Sequence, residues 1–263
     1  MAVGTVPVEA SDEAAILETG VPPGRGVWRY LAMPTFLAVV LLALWAYVST
    51  SELDSIEARR LTFEFIGEST IRHLYLVAVS TAFVILLAVP TGVLLTRPFM
   101  RRVSPVLVGV ANTGQAIPSV GVVVVLALAW GTGVRFAIIA LIVYAFLPVL
   151  RNTMVGLQQV DRSVIEAGRG MGMTRFAVLA RIELPLAVPV MLAGVRTALV
   201  INVGTAAVAT LTNAGGLGDI IYTGMIQNRS IVTITGGVLT AALALLVDYA
   251  AGIAEDVLRP RGL

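Results

Sequence analysis

The chain alternates long apolar stretches with short segments that carry most of its charge. Each apolar stretch reaches, or reaches with a short extension, the roughly 20 residues that an α-helix needs to cross a bilayer. The predicted spans are Tyr30–Ser51, Leu74–Thr96, Val103–Val134, Phe136–Leu150 with an extension to Leu157, Leu184–Thr212 and Ile231–Ile253. The pattern therefore predicts an all-α integral membrane protein with about six transmembrane helices.

The third stretch is long enough to suggest two helices, because Pro118 lies near its middle. Division at Pro118 would leave two pieces of about 15 residues, which is short for a bilayer crossing. A proline inside a membrane helix is tolerated and produces a kink. We therefore expect one long helix kinked at Pro118.

The arginines are distributed unevenly between the two sides of these spans. Twelve of the 18 basic residues, all of them arginine, lie on the side of the termini and five on the other side. Because cytoplasmic loops carry the excess of positive charge, both termini are predicted to be cytoplasmic. Residues 1–27 are predicted to be a disordered tail and 256–263 a short cytoplasmic tail. For the external segment, residues 52–72, a surface helix and a loop are both open.

Composition supports a membrane protein and excludes several kinds of chemistry. The chain is 57% hydrophobic and 13% charged, whereas soluble domains have about 25% charged residues. It has no lysine and no cysteine, which excludes a P-loop, a Schiff base, thiol catalysis and thiolate metal sites. The single histidine, His73, is expected to be a plain residue at the membrane edge. We assign no catalytic residue and no metal site, and the scattered arginines do not indicate nucleic-acid binding.

The predicted cytoplasmic loop at residues 160–183, here called the inner segment, has the pattern of two short helices. Val164–Gly168 is predicted to be helical, Gly170–Gly172 to form a turn, and Thr174 to cap a second helix that begins at Arg175. Exposed apolar and methionine side chains on such a helix are typical of a surface that docks into a partner's groove.

The inner segment resembles the cytoplasmic signature of the permease subunits of binding-protein-dependent ABC importers. That signature is Glu-Ala-Ala, three residues, Gly, nine residues, Ile, one residue and Leu-Pro. The matching residues are Glu166, Ala167, Gly168, Gly172, Ile182, Leu184 and Pro185. Gly168 stands where the family usually has alanine, which weakens the helix by up to about 1 kcal/mol. The resemblance implies a type I ABC importer permease fold in the bacterial cytoplasmic membrane, with residues 28–51 as the first helix and 73–255 as the permease core.

Several blocks outside the signature resemble the osmoprotectant branch of this family, which imports glycine betaine, choline, carnitine and similar quaternary amines. The blocks are Gln115–Ser119, Leu147–Thr153, Gly170–Thr174, Val195–Thr197 and Gly215–Gly218. Before the last block the branch usually has Ile-Gly, whereas this chain has Thr212-Asn213. An importer permease for another small solute, such as an amino acid or a sulfonate, therefore stays open.

The resemblance also implies how work is divided among subunits. A dimer of separate ATP-binding subunits would bind ATP and Mg²⁺, so that this chain carries no cofactor. An extracellular binding protein would deliver the solute, and a second permease copy or a paralogue would complete the pore within the lipid. Residues implied to couple this chain to the ATPase are Glu166, Ala167, Gly168, Gly172, Met173, Ile182, Leu184 and Pro185.

The translocation pathway is expected to include polar residues of the third and fifth spans and the loop that follows the fifth. In the fifth span, small and polar residues recur at helical spacing, and they suit either a water-filled path or close helix packing. Gln115, Pro118 and Ser119 have the same two interpretations. The candidates are Gln115, Pro118, Ser119, Asn202, Thr205, Thr212 and Asn213, and Ala198 and Ala209 complete the stripe. Asn213–Gly218 is expected to be an external gate loop.

Two charged residues lie inside predicted spans, Arg196 and Asp248. Charges at that depth usually face protein or water. One interpretation is that each is paired, with the other among the candidate partners, and the second is that Asp248 attracts a cationic solute.

Two other classes of protein are weighed against the importer permease. An ion-coupled secondary transporter would normally have several intramembrane carboxylates or repeated halves. An intramembrane enzyme would need a buried nucleophile with its base, or paired carboxylates. Neither pattern is present in the sequence.

Overall fold

The computed structural model describes residues 27–100 and 102–258. The predicted disordered tail, apart from Val27, and most of the predicted C-terminal tail lie outside the described residues. The side chains of residues 27–29 are likewise not described.

Within these residues the chain is helical, with eleven α-helices in the described ranges. They are α1 Val27–Thr50, α2 Ser55–Arg60, α3 Phe63–Leu95, α4 Ser104–Ala116, α5 Ser119–Trp130, α6 Val134–Gln158, α7 Arg162–Gly170, α8 Arg175–Val178, α9 Leu184–Ala206, α10 Gly218–Ile226 and α11 Ser230–Leu258. Three other helical turns join them: the 3₁₀ turns Pro98–Met100 and Ala207–Thr212 and the π-helical turn Leu179–Glu183.

The prediction of about six spans is confirmed. Five helices are long and apolar enough to cross a membrane: α1, α3, α6, α11 and the continuous run Arg175–Thr212, which contains α9. Counted together as one broken span, the pair α4 and α5 brings the number to six. The helix predicted at Phe136–Leu150 does extend past Leu157, to Gln158.

The prediction of one kinked helix around Pro118 is wrong. α4 and α5 are separate helices that meet at 94°. Ile117 is extended, with φ −76° and ψ 131°, because the ring of a following proline disfavours the α conformation in the residue before it. Pro118 then caps α5. The two helices form an elbow rather than a bent rod.

The external segment is neither a surface helix alone nor a loop. α2 is a short helix whose N-cap, Asp54, accepts hydrogen bonds from the N–H groups of Ile56 and Glu57, while the Glu57 side chain accepts from the Asp54 N–H. These backbone bonds, the one from Glu57 first, hold the pKa of Asp54 below its usual value despite the opposing effect of burial. α3 then begins at Phe63, so that the second span starts eleven residues earlier than predicted.

α3, α6 and α9 pack against one another at the centre, where glycines allow their backbones to approach closely. A Cβ on Gly194 of α9 would lie 2.5 Å from Cβ of Asn152 in α6. A Cβ on Gly92 of α3 would lie 2.8 Å from Cβ of Thr153.

In contrast, Leu37 is the only buried residue among the described side chains of α1, so this helix lies at the periphery, along α11. We call the end of the bundle that carries the inner segment the inner end, and the end that carries Asn213–Gly218 the outer end.

Candidate functional site: the inner segment and the candidate pathway

The inner segment folds as its capping residues predict. Asp161 accepts a hydrogen bond from the Ser163 N–H (2.8 Å) and begins α7. The helix ends where Gly172, with φ +84°, donates to the carbonyl of Arg169 and Met173 donates to that of Gly168. This pair of bonds is the Schellman motif, which needs a residue with positive φ and therefore favours glycine.

The second predicted cap is also confirmed. The hydroxyl of Thr174 accepts a hydrogen bond from the Ala177 N–H at 3.2 Å and begins α8 at Arg175. α7 is longer than the predicted Val164–Gly168 and runs from Arg162 to Gly170. At its start, the Ser163 N–H bond lowers the pKa of Asp161 below its usual value, because the carboxylate form is the better acceptor.

The inner segment exposes apolar side chains at its tip and buries one glycine, Gly168. Met171 is 76% exposed and Phe176 77% exposed. Gly168 is buried, and a Cβ there would lie 2.6 Å from Cδ1 of Ile182. The glycine that departs from the family's usual alanine is therefore a point of close contact. Of the other residues predicted to couple to the ATPase, Glu166, Ala167, Gly172 and Pro185 are exposed, and Met173, Ile182 and Leu184 are half-buried.

The inner segment continues into α9 without a break. Pro185 has no N–H to donate to the carbonyl of Arg181, so the α-helical ladder is interrupted at this point. The chain forms a π-helical turn, Leu179–Glu183, in which the Leu184 N–H bonds to the carbonyl of Leu179. The carboxylate of Glu183 is buried and forms an ion pair with Arg97 at 2.7 Å.

The polar stripe predicted in the fifth span faces mainly the interior of this chain. Ala198, Asn202, Ala209 and Thr212 are buried and Thr205 is half-buried. Nδ2 of Asn202 donates to the hydroxyls of Ser80 (3.1 Å) and Thr81 (3.0 Å) in α3. This arrangement supports packing for the buried members, and a place in the pathway stays a prediction. The exposed residues of α9 and the turn after it include Thr197, Gly204 and Leu211.

The polar patch of the third span lies at the elbow between α4 and α5. Nε2 of Gln115 donates to the carbonyl of Tyr144 in α6 at 2.9 Å. Pro118 is exposed and Ser119 half-buried. The structure thus brings these three residues together at a bend, and their contact with solute remains a prediction.

The glycine-rich loop at the outer end is packed. Asn213 is exposed, but Ala214–Gly218 are buried. The backbone adopts positive φ at Asn213 (57°), Gly215 (81°) and Gly216 (102°). Nε of Arg72 donates to the carbonyl of Ala214 at 2.7 Å. The loop packs against α3, and its role as a gate stays a prediction. α10, which sequence reasoning missed, follows it directly.

His73 is a buried part of this outer end rather than a plain membrane-edge residue. Its side chain is fully buried, with Nε2 2.9 Å from the carbonyl of Val203 and Nδ1 3.3 Å from the backbone nitrogen of Leu217. One ring nitrogen must donate and the other accept, so the neutral form with hydrogen on Nε2 satisfies both partners. His73 therefore ties α3 to α9 and to the outer loop. The sequence gives no local signal for these contacts.

Arg196 and Asp248 pair with each other, as one of the two interpretations predicted. Nε of Arg196 lies 2.6 Å from Oδ1 of Asp248, and Nη2 lies 2.7 Å from Oδ2. Glu255 lies 3.7 Å from Nη1 on the other side. Gly252, one turn beyond Asp248, leaves room for the guanidinium against α11. The bidentate geometry neutralises both charges and joins α9 to α11. Attraction of a cationic solute by Asp248 stays a prediction.

Comparison with known proteins agrees with the fold and the signature. Residues 88–261 match the family of binding-protein-dependent transport system inner membrane components. The chain is 39% identical over 197 residues to the carnitine transport permease protein OpuCD of Listeria monocytogenes, covering 74% of this chain and 87% of the relative. It is 38% identical over 213 residues to the osmoprotectant import permease protein OsmY of Salmonella typhimurium, covering 81% and 89%.

Solved structures show the same architecture. A chain of the MetNI methionine ABC transporter in an inward-facing conformation has a TM-score of 0.67 and 25% identity, over 74% of this chain and 96% of that one. A chain of an amino acid ABC transporter with histidines has a TM-score of 0.61 at 15% identity, over 80% and 99%, and shows the fold alone. The signature, the fold and the family match together establish that this chain belongs to the binding-protein-dependent transport system inner membrane components.

Proposed function

We propose that this chain is the transmembrane permease subunit of an ATP-driven importer of quaternary-amine osmoprotectants such as glycine betaine, choline or carnitine. The observation that carries the proposal is the inner segment. Its exposed Met171 and Phe176 suit docking into a partner's groove, and its helices continue directly into α9. A displacement of the segment would therefore act on a helix at the centre of the bundle.

The proposal assigns ATP hydrolysis to separate subunits. A dimer of ATP-binding subunits would hold ATP and Mg²⁺ and dock against the inner segment of each permease. The absence of lysine in this chain agrees with that assignment, because a P-loop uses a lysine to contact the phosphates. An extracellular binding protein would deliver the solute, and a second copy of this chain or a paralogue would complete the pore.

Quaternary amines are the solute class that the relatives support best. Curated relatives at 36–39% identity are permeases named for carnitine, choline, glycine betaine or osmoprotectants. The solved methionine transporter has lower identity, 25–26%. We infer that this chain supplies the path and alternating access, while the binding protein supplies most of the selectivity.

Reconstituted vesicles would test the proposal. The chain, its ATP-binding subunit and its binding protein are incorporated together, and uptake of labelled glycine betaine, choline and carnitine is measured with ATP present or absent. We expect uptake of at least one of these solutes that depends on ATP and on the binding protein. Uptake driven by a proton gradient without ATP would support a secondary transporter instead, and ATP-driven uptake of methionine alone would support another solute.

Substitution of Gly172 by leucine tests the role of the inner segment. The φ of +84° strains any side chain at this position, although a Cβ would meet no other atom within 4 Å. We expect Gly172→Leu to abolish ATP-driven uptake while the protein stays in the membrane. Gly170→Leu is the matched control, because Gly170 is also open but helical. Normal uptake by the Gly172 variant would refute the assignment.

A further inference from the structure

Arg97 and Glu183 form an ion pair between the inner end of α3 and the turn before α9. Nη2 of Arg97 lies 2.7 Å from Oε2 of Glu183, and Nη1 lies 3.4 Å from Oε1. The side chain of Glu183 is 7% exposed and that of Arg97 is 26% exposed. Because two N–H groups of a planar fork bond to one carboxylate, the pair fixes orientation as well as distance.

The guanidinium is also fixed to its own helix. Nε of Arg97 donates to the carbonyl of Val93 (3.1 Å), and Nη2 donates to the hydroxyl of Thr96 (3.0 Å). These residues form the end of α3. One residue before Val93, Gly92 packs against Thr153 of α6. A force on Arg97 therefore acts on α3 at the place where it packs against the centre of the bundle.

Glu183 is in turn connected to the inner segment through its neighbour. Ile182 touches α7 at Gly168, where a Cβ would lie 2.6 Å from Cδ1 of the isoleucine. A line of direct contacts and one peptide bond thus runs from Gly168 through Ile182 and Glu183 to Arg97. This line leads from α7 to α3 without passing through α9.

The direction in which the side chain of Glu183 points depends on the π-helical form of the turn. Each residue of an α-helix turns by about 100°, so that removing the extra residue of the π turn would rotate Glu183 by about that angle relative to α9. The carboxylate would then leave Arg97. π turns occur frequently at functional sites, and in the observed turn the carboxylate of Glu183 reaches Arg97.

We propose that Arg97 and Glu183 are positioning residues that hold the π-helical turn against α3, so that a displacement of α7 moves α3 together with α9. The inference rests on the proposed function and adds a second membrane helix to those that the ATP-hydrolysing partner drives. An ion pair that only stabilises the fold is the competing explanation.

The deciding variant neutralises both partners, Arg97→Met with Glu183→Gln, because removal of one partner would leave a lone buried charge. The complete transporter is reconstituted, and solute moved per ATP hydrolysed is measured. We expect this ratio to fall about tenfold while ATP hydrolysis continues. The control neutralises the ion pair of Arg229 and Asp54 with Arg229→Met and Asp54→Asn. This pair is 2.6 Å long, similar to the inner pair at 2.7 Å, but it is more exposed. The control variant should keep the wild-type ratio.

A distance measurement provides a readout that a purely stabilising ion pair would not change. Because the chain has no cysteine, cysteines placed at the exposed Arg169 of α7 and Phe99 beyond α3 can carry spin labels. With the ion pair intact, we expect nucleotide to leave the distance between the labels unchanged, since the two helices move together. In the double variant, nucleotide should shift the distance.

The outcomes separate this inference from the proposed function. An unchanged transport ratio and an unchanged nucleotide response in the double variant would overturn the inference alone. Absence of ATP-driven uptake by the unmodified chain would overturn the proposed function. If the double variant does not assemble, Arg97→Lys is tested in the same two measurements. Lysine keeps the positive charge but loses the two-point hydrogen bonding of the planar guanidinium. A normal transport ratio and a normal nucleotide response in this variant would likewise overturn the inference.

Discussion

The inner segment and the outer loop are both glycine-rich bends near the ends of α9, and one glycine from each, Gly172 and Gly218, shows a different reason for the absence of a side chain. Gly172, in the inner segment, has φ +84° and open space around the position of a Cβ. Gly218, at the end of the outer loop, has helical φ but no space, since a Cβ would collide with the backbone of Ala207. The inner glycine is required by its backbone angle and the outer one by its surroundings.

This difference shows that glycine content by itself does not identify a mobile segment. The inner bend projects from the bundle, and local hydrogen bonds between α7 and the residues after it define its shape. The outer bend is buried and is held by Arg72 and His73, which come from a distant helix. Movement of the outer loop would require those contacts to break, whereas the long-range side-chain contact of the inner segment described above lies at its end, where Glu183 pairs with Arg97.

The largest effect is expected for Gly218→Ala. Because the obstructing atoms are backbone, the loop must shift, and we expect stability to fall by about 3 kcal/mol, at the upper end of overpacking. Thermal unfolding of the protein in detergent measures this change. Gly237→Ala in α11 is the control, because a Cβ meets nothing there within 4 Å. Equal stability of the two variants would show that the outer loop is not tightly packed.

The second effect concerns His73→Leu, which removes the hydrogen bonds to Val203 and Leu217 while preserving apolar volume. A buried donor left without its partner costs about 1–3 kcal/mol, and we expect a loss of about 2 kcal/mol in the same unfolding assay. Tyr75→Leu, at a position that is 54% exposed in the same helix, should change little. Wild-type stability of the His73 variant would mean that the hydrogen bonds of His73 to Val203 and Leu217 do not stabilise the outer end.

The smallest effect is a pH dependence confined to the inner segment. The pKa of Asp161 is lowered in the folded state by the Ser163 N–H, so its cap stabilises α7 above the unfolded pKa of about 3.9. This stabilisation is lost as the pH falls through the folded value. We expect hydrogen exchange to show weaker protection of α7 amides under acid, with the outer loop unchanged. Asp161→Asn, which caps without titrating, should remove the pH dependence; its persistence would contradict the assignment.

The inner segment could be predicted closely because its signals are local. The hydroxyl of Thr174 accepts a hydrogen bond from the N–H of Ala177, three residues later, and the N–H of Gly172 donates to the carbonyl of Arg169, three residues earlier. The pairing of Arg196 with Asp248 could be predicted too, because charges inside a bilayer need a partner and few were available.

The outer loop and the elbow could not be predicted in the same way. The contacts of His73 join residues 130 and 144 positions apart, and no periodicity in the sequence reports them. At Pro118 the sequence marks the break in the helix, but the angle of 94° depends on how α4 and α5 pack on α6. α10 was missed because its nine residues are too few for a span.

The helical run Arg175–Thr212 extends for 38 residues, which corresponds to about 57 Å at 1.5 Å per residue. The run includes the π-helical turn Leu179–Glu183 and the 3₁₀ turn Ala207–Thr212 but stays helical throughout. A tilt of about 5° at its inner end would therefore move its outer end sideways by about 5 Å, roughly the rise of one helical turn. A small displacement at the inner end of this helical run would thereby become a larger displacement at its outer end.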